Sequence, residues 1–204
     1  MDAADAAGEL QDAAEGGSGD LKTPGALTIA ILAMLLAITS LGGDDATKTT
    51  INANIQASDT WAFYQAKNIR QTDYRLAAEQ MEVFIPSLPP EQARLARERA
   101  DSYKATVARY ESEPDPKAPD DPTKGEGKKE LLARAQLHEA QRDRAQKQDP
   151  NFDYATALFQ IAIVLGSVAI VSSRRPVLLL SQIMGVIALV LSVNGFFLLF
   201  ELPG

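Results

Sequence analysis

The sequence predicts an all-α membrane protein with three transmembrane helices and an inserted helical, weakly coiled-coil module outside the membrane. An apolar segment at residues 23–42 and two apolar runs at residues 154–173 and 177–200 predict the spans. The two runs have the length, about 20 residues or more, that a helix needs to cross a bilayer. Within the first segment the apolar stretch, residues 25–41, is somewhat shorter but sufficient. The polar sequence between them, residues 43–150, predicts the module.

The two C-terminal runs, within residues 151–204, form a predicted transmembrane hairpin, because only Arg174, Arg175 and Pro176 separate them. Inside lipid a segment must satisfy its own backbone hydrogen bonds, which favours helices over strands. The first span is not expected to be a cleaved signal peptide, since the sequence before it is acidic and Lys22 is its one cation. All three runs lack charged residues, which argues against a proton-coupled transporter.

Composition excludes several functions. The formal net charge is −7, and the N-terminal tail, residues 1–22, is acidic and is predicted to be disordered. This balance makes nucleic acid an unsuitable partner. Cysteine is absent, which excludes disulfides and thiolate chemistry, and His138 is the single histidine. We therefore expect no catalytic, cofactor-binding or metal site, and no enzyme.

Three helices are predicted within the module, at residues 47–84, 90–112 and 128–148. The first has a stripe at alternating four- and three-residue spacing, which we expect to form a weak coiled-coil seam with its neighbours. The second has a clean heptad face. The stripe comprises Ile51, Ile55, Ser58, Ala62, Gln65, Ile69, Thr72 and Leu76, and the heptad face comprises Ala93, Ala96, Ala100, Tyr103, Val107 and Tyr110.

Residues 113–127 are rich in proline and glycine and are predicted to be an extended linker and not a folded element. Such a linker is long enough for the second and third helices of the module both to run back toward the membrane. The alternative is that the first helix of the module lies along the membrane surface.

Small residues mark the faces on which the spans are expected to pack, because they let helix backbones approach closely in lipid. Two arrangements remain open: a three-helix bundle within one chain, and a seam between copies of the chain. The small residues are Ala26, Ala30, Ala33, Ala37 and Ser40 in the first span, Ala162 and Gly166 in the second, and Ser181, Gly185, Ala188 and Ser192 in the third.

The short loop with Arg174 and Arg175 is predicted to be cytoplasmic by the positive-inside rule. Three spans then place the N-terminus in the cytoplasm and the module in the periplasm of a multi-pass inner-membrane protein. The acidic tail and the bases near residue 144 favour the inverse arrangement, which stays open.

The stretch W-A-F-Y-Q-A-K, at residues 61–67, follows a span that ends in A-I-T-S-L-G-G and precedes a C-terminal hairpin. In these features the chain resembles the uncharacterised bacterial membrane proteins grouped as domain of unknown function 4337. The resemblance implies a bacterial inner-membrane protein with the same layout, and it supplies no catalytic residues.

The same stretch holds the candidate interaction residues, since aromatic residues beside Lys or Arg are typical of interface anchors. The alternative is that they pack inside the module, against Tyr103 and Tyr110. The candidates are Trp61, Tyr64, Gln65, Lys67 and Asn68.

We therefore expect a membrane-embedded structural or interaction protein without catalytic activity: a scaffold, an accessory subunit or a self-assembling element. Its expected partners are the lipid bilayer and either further copies of itself or the other subunits of a membrane complex. The alternative is a small oligomeric channel or transporter component, with Gln182 and Asn194 lining the pore.

Overall fold

A computed structural model of the protein describes residues 22–201, so the predicted tail lies outside the described residues except for Lys22. Helix α1 spans Lys22–Phe84 and ends in a 3-10 turn, Ile85–Ser87. Helices α2, α3 and α4 span Pro90–Glu111, Lys128–Ser172 and Arg175–Phe197. The all-α prediction is confirmed, because residues 22–201 contain no strand beyond one isolated bridge between Pro114 and Gly125.

Three of these helices, α1, α3 and α4, contain a stretch that is long and apolar enough to cross a membrane. Helices α1 and α3 are longer than predicted, because residues 43–46 and 149–153 are helical and join each span to the neighbouring module helix. Gly42 does not interrupt α1 but permits close packing: a Cβ there would lie 2.7 Å from Cε1 of Phe152. Pro150 lies inside α3.

The described chain divides into two compact units. Residues 22–50 and 143–201 form the first, which we call the apolar unit, and residues 51–142 form the second, the polar unit. Each unit takes one part of α1 and one part of α3; α4 belongs to the apolar unit and α2 to the polar unit.

In the apolar unit, large side chains of α1 pack against small residues of α3 and α4. Ile29, Leu32 and Leu36 are at most 5% exposed and form the core with Phe159 and Ile163 of α3. Large apolar residues such as Leu27, Ile161 and Val186 face outward. A core in which large side chains fit against small ones, with an apolar exterior, is the arrangement expected of helices that pack together in lipid.

Buried hydroxyls make two of the hydrogen bonds between helices in this unit. The hydroxyls of Thr39 on α1 and Ser192 on α4 are 2.8 Å apart. Because Thr39 also donates to the carbonyl of Leu35, Ser192 is the donor between the two hydroxyls. The hydroxyl of Ser181 on α4 donates to the carbonyl of Ala162 on α3, at 2.6 Å.

A network of hydrogen bonds closes the end of α4. Asn194 is fully buried, and its amide donates to the side-chain oxygen of Asn151 at 2.7 Å and to the carbonyl of Phe200 at 2.9 Å. The Phe200 amide donates back to the Asn194 oxygen. The Asn151 amide donates to the carbonyl of Lys147, so both buried carboxamides are bonded. Leu198, with φ of 50°, turns the chain back toward Asn194.

We predict that Asn194→Leu lowers the stability of the protein by about 2 kcal/mol or more, since it removes three hydrogen bonds and leaves the buried side-chain oxygen of Asn151 unpaired. Thermal unfolding of the purified protein in detergent measures the loss. Val193→Leu, at the exposed neighbouring position, is the matched control and should shift the midpoint little. Equal midpoints for Asn194→Leu and the unchanged protein would contradict this prediction.

In the polar unit, α2 and α3 both run antiparallel to α1, one after the other. Along α2, Lys104 bonds to Glu82 of α1, and Tyr103 and Tyr110 both pack on Tyr74. As the residue numbers rise along α3, the residues of α1 that they contact fall in number. Lys128 is hydrogen-bonded to Gln71, Glu139 to Trp61, and Arg142 to Asn54. The polar unit is therefore two helices thick over its length, with α1 as one layer and α2 and α3 as the other.

The face of α1 predicted to be the coiled-coil seam is turned the wrong way. Ile51, Ile55, Ile69 and Leu76 are exposed, and the buried face carries Ala53, Ala57, Thr60, Lys67 and Ala78. The prediction failed because it took the inner face to be the one with the aliphatic residues, whereas α1 meets α2 and α3 through small, polar and aromatic side chains. The heptad face predicted for α2 does face inward, with Ala100 buried and Tyr103 and Tyr110 half-buried.

Residues 113–127 form a folded loop and not the extended linker predicted. The Glu126 amide donates to the Glu113 carbonyl at 2.9 Å, which closes the loop at its base. Arg134 of α3 donates to the carbonyls of Thr123 and Gly125, at 2.8 and 2.7 Å. Gly125 has a φ of 129°, a conformation that favours glycine. The end of α2 and the start of α3 both lie beside Gln71 of α1. The connection between α2 and α3 therefore does not need to be long and extended.

Candidate interaction site

The structure separates the five predicted interaction residues into two groups. Trp61, Tyr64 and Lys67 face α2 and α3, whereas Gln65 and Asn68 are exposed. The indole of Trp61 donates to Glu139 of α3 at 2.9 Å and packs edge-on against Tyr64, with ring centroids 5.5 Å apart. Tyr103 and Tyr110 of α2 meet Tyr74 and not Trp61 or Tyr64. For the inward group, these contacts favour packing within the polar unit.

Lys67 is a buried cation, 6% exposed, that joins α1 to the loop. Its ammonium donates to the carbonyl of Glu126 and pairs with the carboxylate of Glu113 at 3.4 Å. The rings of Tyr110 and Phe63 lie 5.1 and 5.7 Å from it and add cation–π attraction. A buried charge is costly unless it is paired, and these contacts pair it.

Glu130, in the first turn of α3, holds the loop from the other side. It is 6% exposed and accepts hydrogen bonds from the Ser112 hydroxyl at 2.7 Å and from the Glu113 amide at 3.1 Å. Burial alone raises the pKa of Glu130, but the hydrogen bonds from Ser112 and Glu113 outweigh burial and hold the pKa below its usual value of 4.5. The ionised form of Glu130 therefore stabilises the folded loop.

We predict that Glu130→Gln loosens the loop at neutral pH and that this effect disappears in acid. Because the folded pKa is lowered, the contribution of Glu130 is complete above pH 4.5 and is lost as the pH falls through the folded pKa. Hydrogen bonds to a charged group are worth about 1.5–3 kcal/mol, so loop amides should exchange roughly tenfold faster or more in the variant at pH 7.

Hydrogen–deuterium exchange of residues 113–127, corrected for the intrinsic effect of pH, measures this difference. Glu126→Gln is the matched control, since the side chain of Glu126 is exposed and only its backbone carbonyl holds Lys67. A difference between Glu130→Gln and the unchanged protein that stayed constant from pH 7 to pH 3 would contradict the role of the carboxylate.

The outward group adjoins an apolar surface that no other part of the described chain covers. We call this surface, on residues 51–83 of α1, the outer stripe; Gln65 and Asn68 lie beside its central residue, Ile69. Its large side chains have exposed fractions between 47% and 74%. They are Ile51, Ile55, Ile69, Leu76 and Val83.

Of the predicted membrane-packing residues, those on α3 and α4 are buried, and those on α1 are half-buried or exposed. Gly166 and Gly185 are buried, whereas Ala26, Ala33 and Ala37 are half-buried and Ala30 is exposed. A Cβ at Gly166 would lie 2.9 Å from Ile29, and a Cβ at Gly185 would clash with Leu32. The alanines of α1 therefore border the contact whose centre is formed by larger α1 residues and small residues of α3 and α4.

We predict that Gly185→Val destabilises the apolar unit by about 1–3 kcal/mol, because its added atoms overlap Leu32. Leu32→Ala in the same chain makes room and should restore part of the loss, so the two changes should be non-additive. Thermal unfolding of both single variants and the double variant in detergent measures the coupling. Strictly additive shifts of the unfolding midpoint would show that Leu32 does not occupy the space left free by Gly185.

The contacts that hold the loop escaped the sequence analysis because their residues are far apart or lie in ordinary polar helix. Lys67 and Glu113 are 46 positions apart, and Glu130 and Arg134 carry no distinctive motif. The two proposed pore residues also differ: Gln182 is exposed, whereas Asn194 is fully buried in its network. Within residues 22–201 there is no group of three or more His, Cys, Asp or Glu side chains arranged to hold a metal ion.

The described residues thus define a helical protein with three potential membrane spans and a polar helical unit whose buried charges, Lys67 and Glu130, hold its own loop. A family model described as Domain of unknown function (DUF4337) matches residues 21–198. The chain belongs to this family, as its resemblance indicated. No curated protein matches the chain significantly, and no solved structure does.

Proposed function

We propose that the protein is an integral membrane interaction element without catalytic activity, which inserts through its three apolar helices and presents the polar unit to partners. The observation that carries the proposal is the distribution of apolar residues in the apolar unit. The buried polar side chains of this unit are bonded within it: Thr39 to Ser192, Ser181 to the carbonyl of Ala162, and Asn194 to Asn151. Large aliphatic side chains face outward. Lipid is the environment in which such an exterior is stable.

The interior of the polar unit supports a structural role. Its inward-facing polar side chains are bonded within the unit: Lys67 to the loop, Glu130 to Ser112, and Gln71 to the carbonyl of Val107 at 2.9 Å. Groups that are held in this way brace the unit and are not poised for acid–base or nucleophilic chemistry. We further propose an inner-membrane location with the N-terminus in the cytoplasm and the polar unit in the periplasm, based on Arg174 and Arg175.

The channel alternative has less support. Asn194, one of the two side chains proposed to line a pore, uses its amide within the apolar unit. Gln182 is exposed, and its amide donates to Thr28 at 3.2 Å. One exposed carboxamide is consistent with bonding between helices in lipid.

Two measurements on the full-length protein test the proposal. The protein should stay in the membrane fraction at alkaline pH, since integral helices resist such extraction. Native mass measurement after reconstitution into lipid nanodiscs should then find either several copies or a foreign chain in fixed ratio. Extraction into the alkaline supernatant would overturn insertion, and a monomer without a foreign chain would overturn the interaction role.

The orientation has its own test, because the chain lacks cysteine. Lys117, in the loop, is exposed, so Lys117→Cys should react in intact cells with a thiol reagent that cannot cross the inner membrane. Protection of this thiol until the membrane is opened would reverse the orientation.

A further inference from the structure

We propose that the outer stripe of α1 is the docking surface for a second copy of this chain, which pairs with it as a parallel two-stranded coiled coil. This inference rests on the proposed interaction role and names its surface, partner and geometry. The starting observation is that the most apolar face of the polar unit points away from α2 and α3.

The spacing of the outer stripe indicates another helix as the covering partner. Ile55, Ala62, Ile69, Leu76 and Val83 recur at every seventh residue over the last 30 residues of α1, all of them exposed. A strict seven-residue repeat differs from the 3.6-residue turn of a straight helix and keeps its face on a partner only when two helices supercoil. Residues 51–142 supply no such partner, since α2 and α3 cover the opposite face.

The uncovered area is sufficient for a specific contact. The five large side chains of the outer stripe, with Ile69 62% and Val83 74% exposed, leave on the order of 500 Å² of apolar surface. A standard protein interface buries about 800 Å² on each partner. The stripe therefore supplies the apolar centre of an interface of ordinary size, and the polar flanks supply the remaining buried area.

The order of residues along the stripe selects a parallel pair of identical helices. Between the apolar positions lie Ser58, Gln65 and Thr72, three residues after Ile55, Ala62 and Ile69. In a parallel pair each position meets its own copy, so apolar layers stack on apolar layers and the Gln65 carboxamides bond to each other. In an antiparallel pair each apolar residue would face a polar one.

The charges beside the stripe favour the same arrangement. One flank carries Asp59 and Asp73, and the other carries Asn68 and Arg75, all exposed. Parallel pairing brings opposite flanks together, so Asn68 lies beside the partner's Asp73 without like charges meeting. Antiparallel pairing brings equal flanks together and sets Asp59 against the partner's Asp73, which is unfavourable.

The same flanks argue against lipid as the cover of this stripe. A helix that lies on a membrane surface carries Lys or Arg along the border of its apolar face, where they meet anionic headgroups. Here one border carries the acids Asp59 and Asp73, and Arg75 lies on the other border with the neutral Asn68. A second copy of the chain is the occupant that agrees with both the order of apolar and polar layers and the charges on the flanks.

Disulfide formation in the full-length protein, reconstituted into phosphatidylethanolamine–phosphatidylglycerol vesicles at high lipid dilution, tests the proposal. Ile69→Cys and Leu76→Cys should each form a dimer of the chain on mild oxidation. Arg70→Cys, exposed one residue off the stripe, is the matched control and should remain at least tenfold less cross-linked. Because the chain has no other cysteine, each disulfide reports one position.

Direction is tested by mixing Ile55→Cys and Val83→Cys chains that carry different tags. In a parallel pair each variant links only to itself, since the two positions are about 40 Å apart along the helix. Mixed dimers would overturn the parallel arrangement. Ile69→Glu should weaken dimer formation roughly a hundredfold by placing two like charges in an apolar layer, whereas Arg70→Glu should leave it within a few fold.

The remaining outcomes separate this inference from the proposed function. A monomer that resists alkaline extraction and binds a foreign chain would overturn the second copy as occupant and keep the interaction role. A dimer whose disulfides form equally at Arg70 and Ile69 would overturn the outer stripe as its surface. Extraction of the unchanged protein into the alkaline supernatant would instead count against membrane insertion itself.

Discussion

Close approach of α3 and α4 to α1, permitted at two glycines, is the constraint on which the apolar unit depends. Ile29 occupies the space above Gly166 and Leu32 the space above Gly185. In lipid, apolar side chains gain little by meeting each other, because the surrounding acyl chains solvate them equally well. Attraction then comes from dense packing and from hydrogen bonds such as that between Thr39 and Ser192, and both need helix axes that lie close together.

The spans could be predicted because their signal is local. A run of apolar residues of sufficient length is visible in any window of the sequence, and all three runs correspond to helices. The packing face of α1 is harder to predict from sequence. The stripe of Ala26, Ala30, Ala33 and Ala37 suggests that α1 supplies the small residues of the contact between helices. In the structure α1 supplies mainly the large residues of this contact. A sequence alone does not show which of two packed helices contributes the large side chains and which the small ones.

The polar unit was misread at the step where hydrophobicity is taken to mark the inside. Its inner face includes Lys67 and Gln71, which are acceptable there only because Glu113, Glu126 and Val107 supply oxygen atoms from distant parts of the chain. Such pairings have no periodicity to detect. The loop was misread for the same reason, since proline-rich composition predicts an open chain and the order imposed by Arg134 is a tertiary effect.

The network around Asn194 has a consequence for biosynthesis. Asn151 lies on α3, and the amide that satisfies its oxygen arrives on α4, which is made 43 residues later. Until α4 is in place, a buried acceptor on α3 lacks its donor. The apolar unit therefore reaches its final state only after α4 has been made, and α3 has to stay accessible to α4 until then.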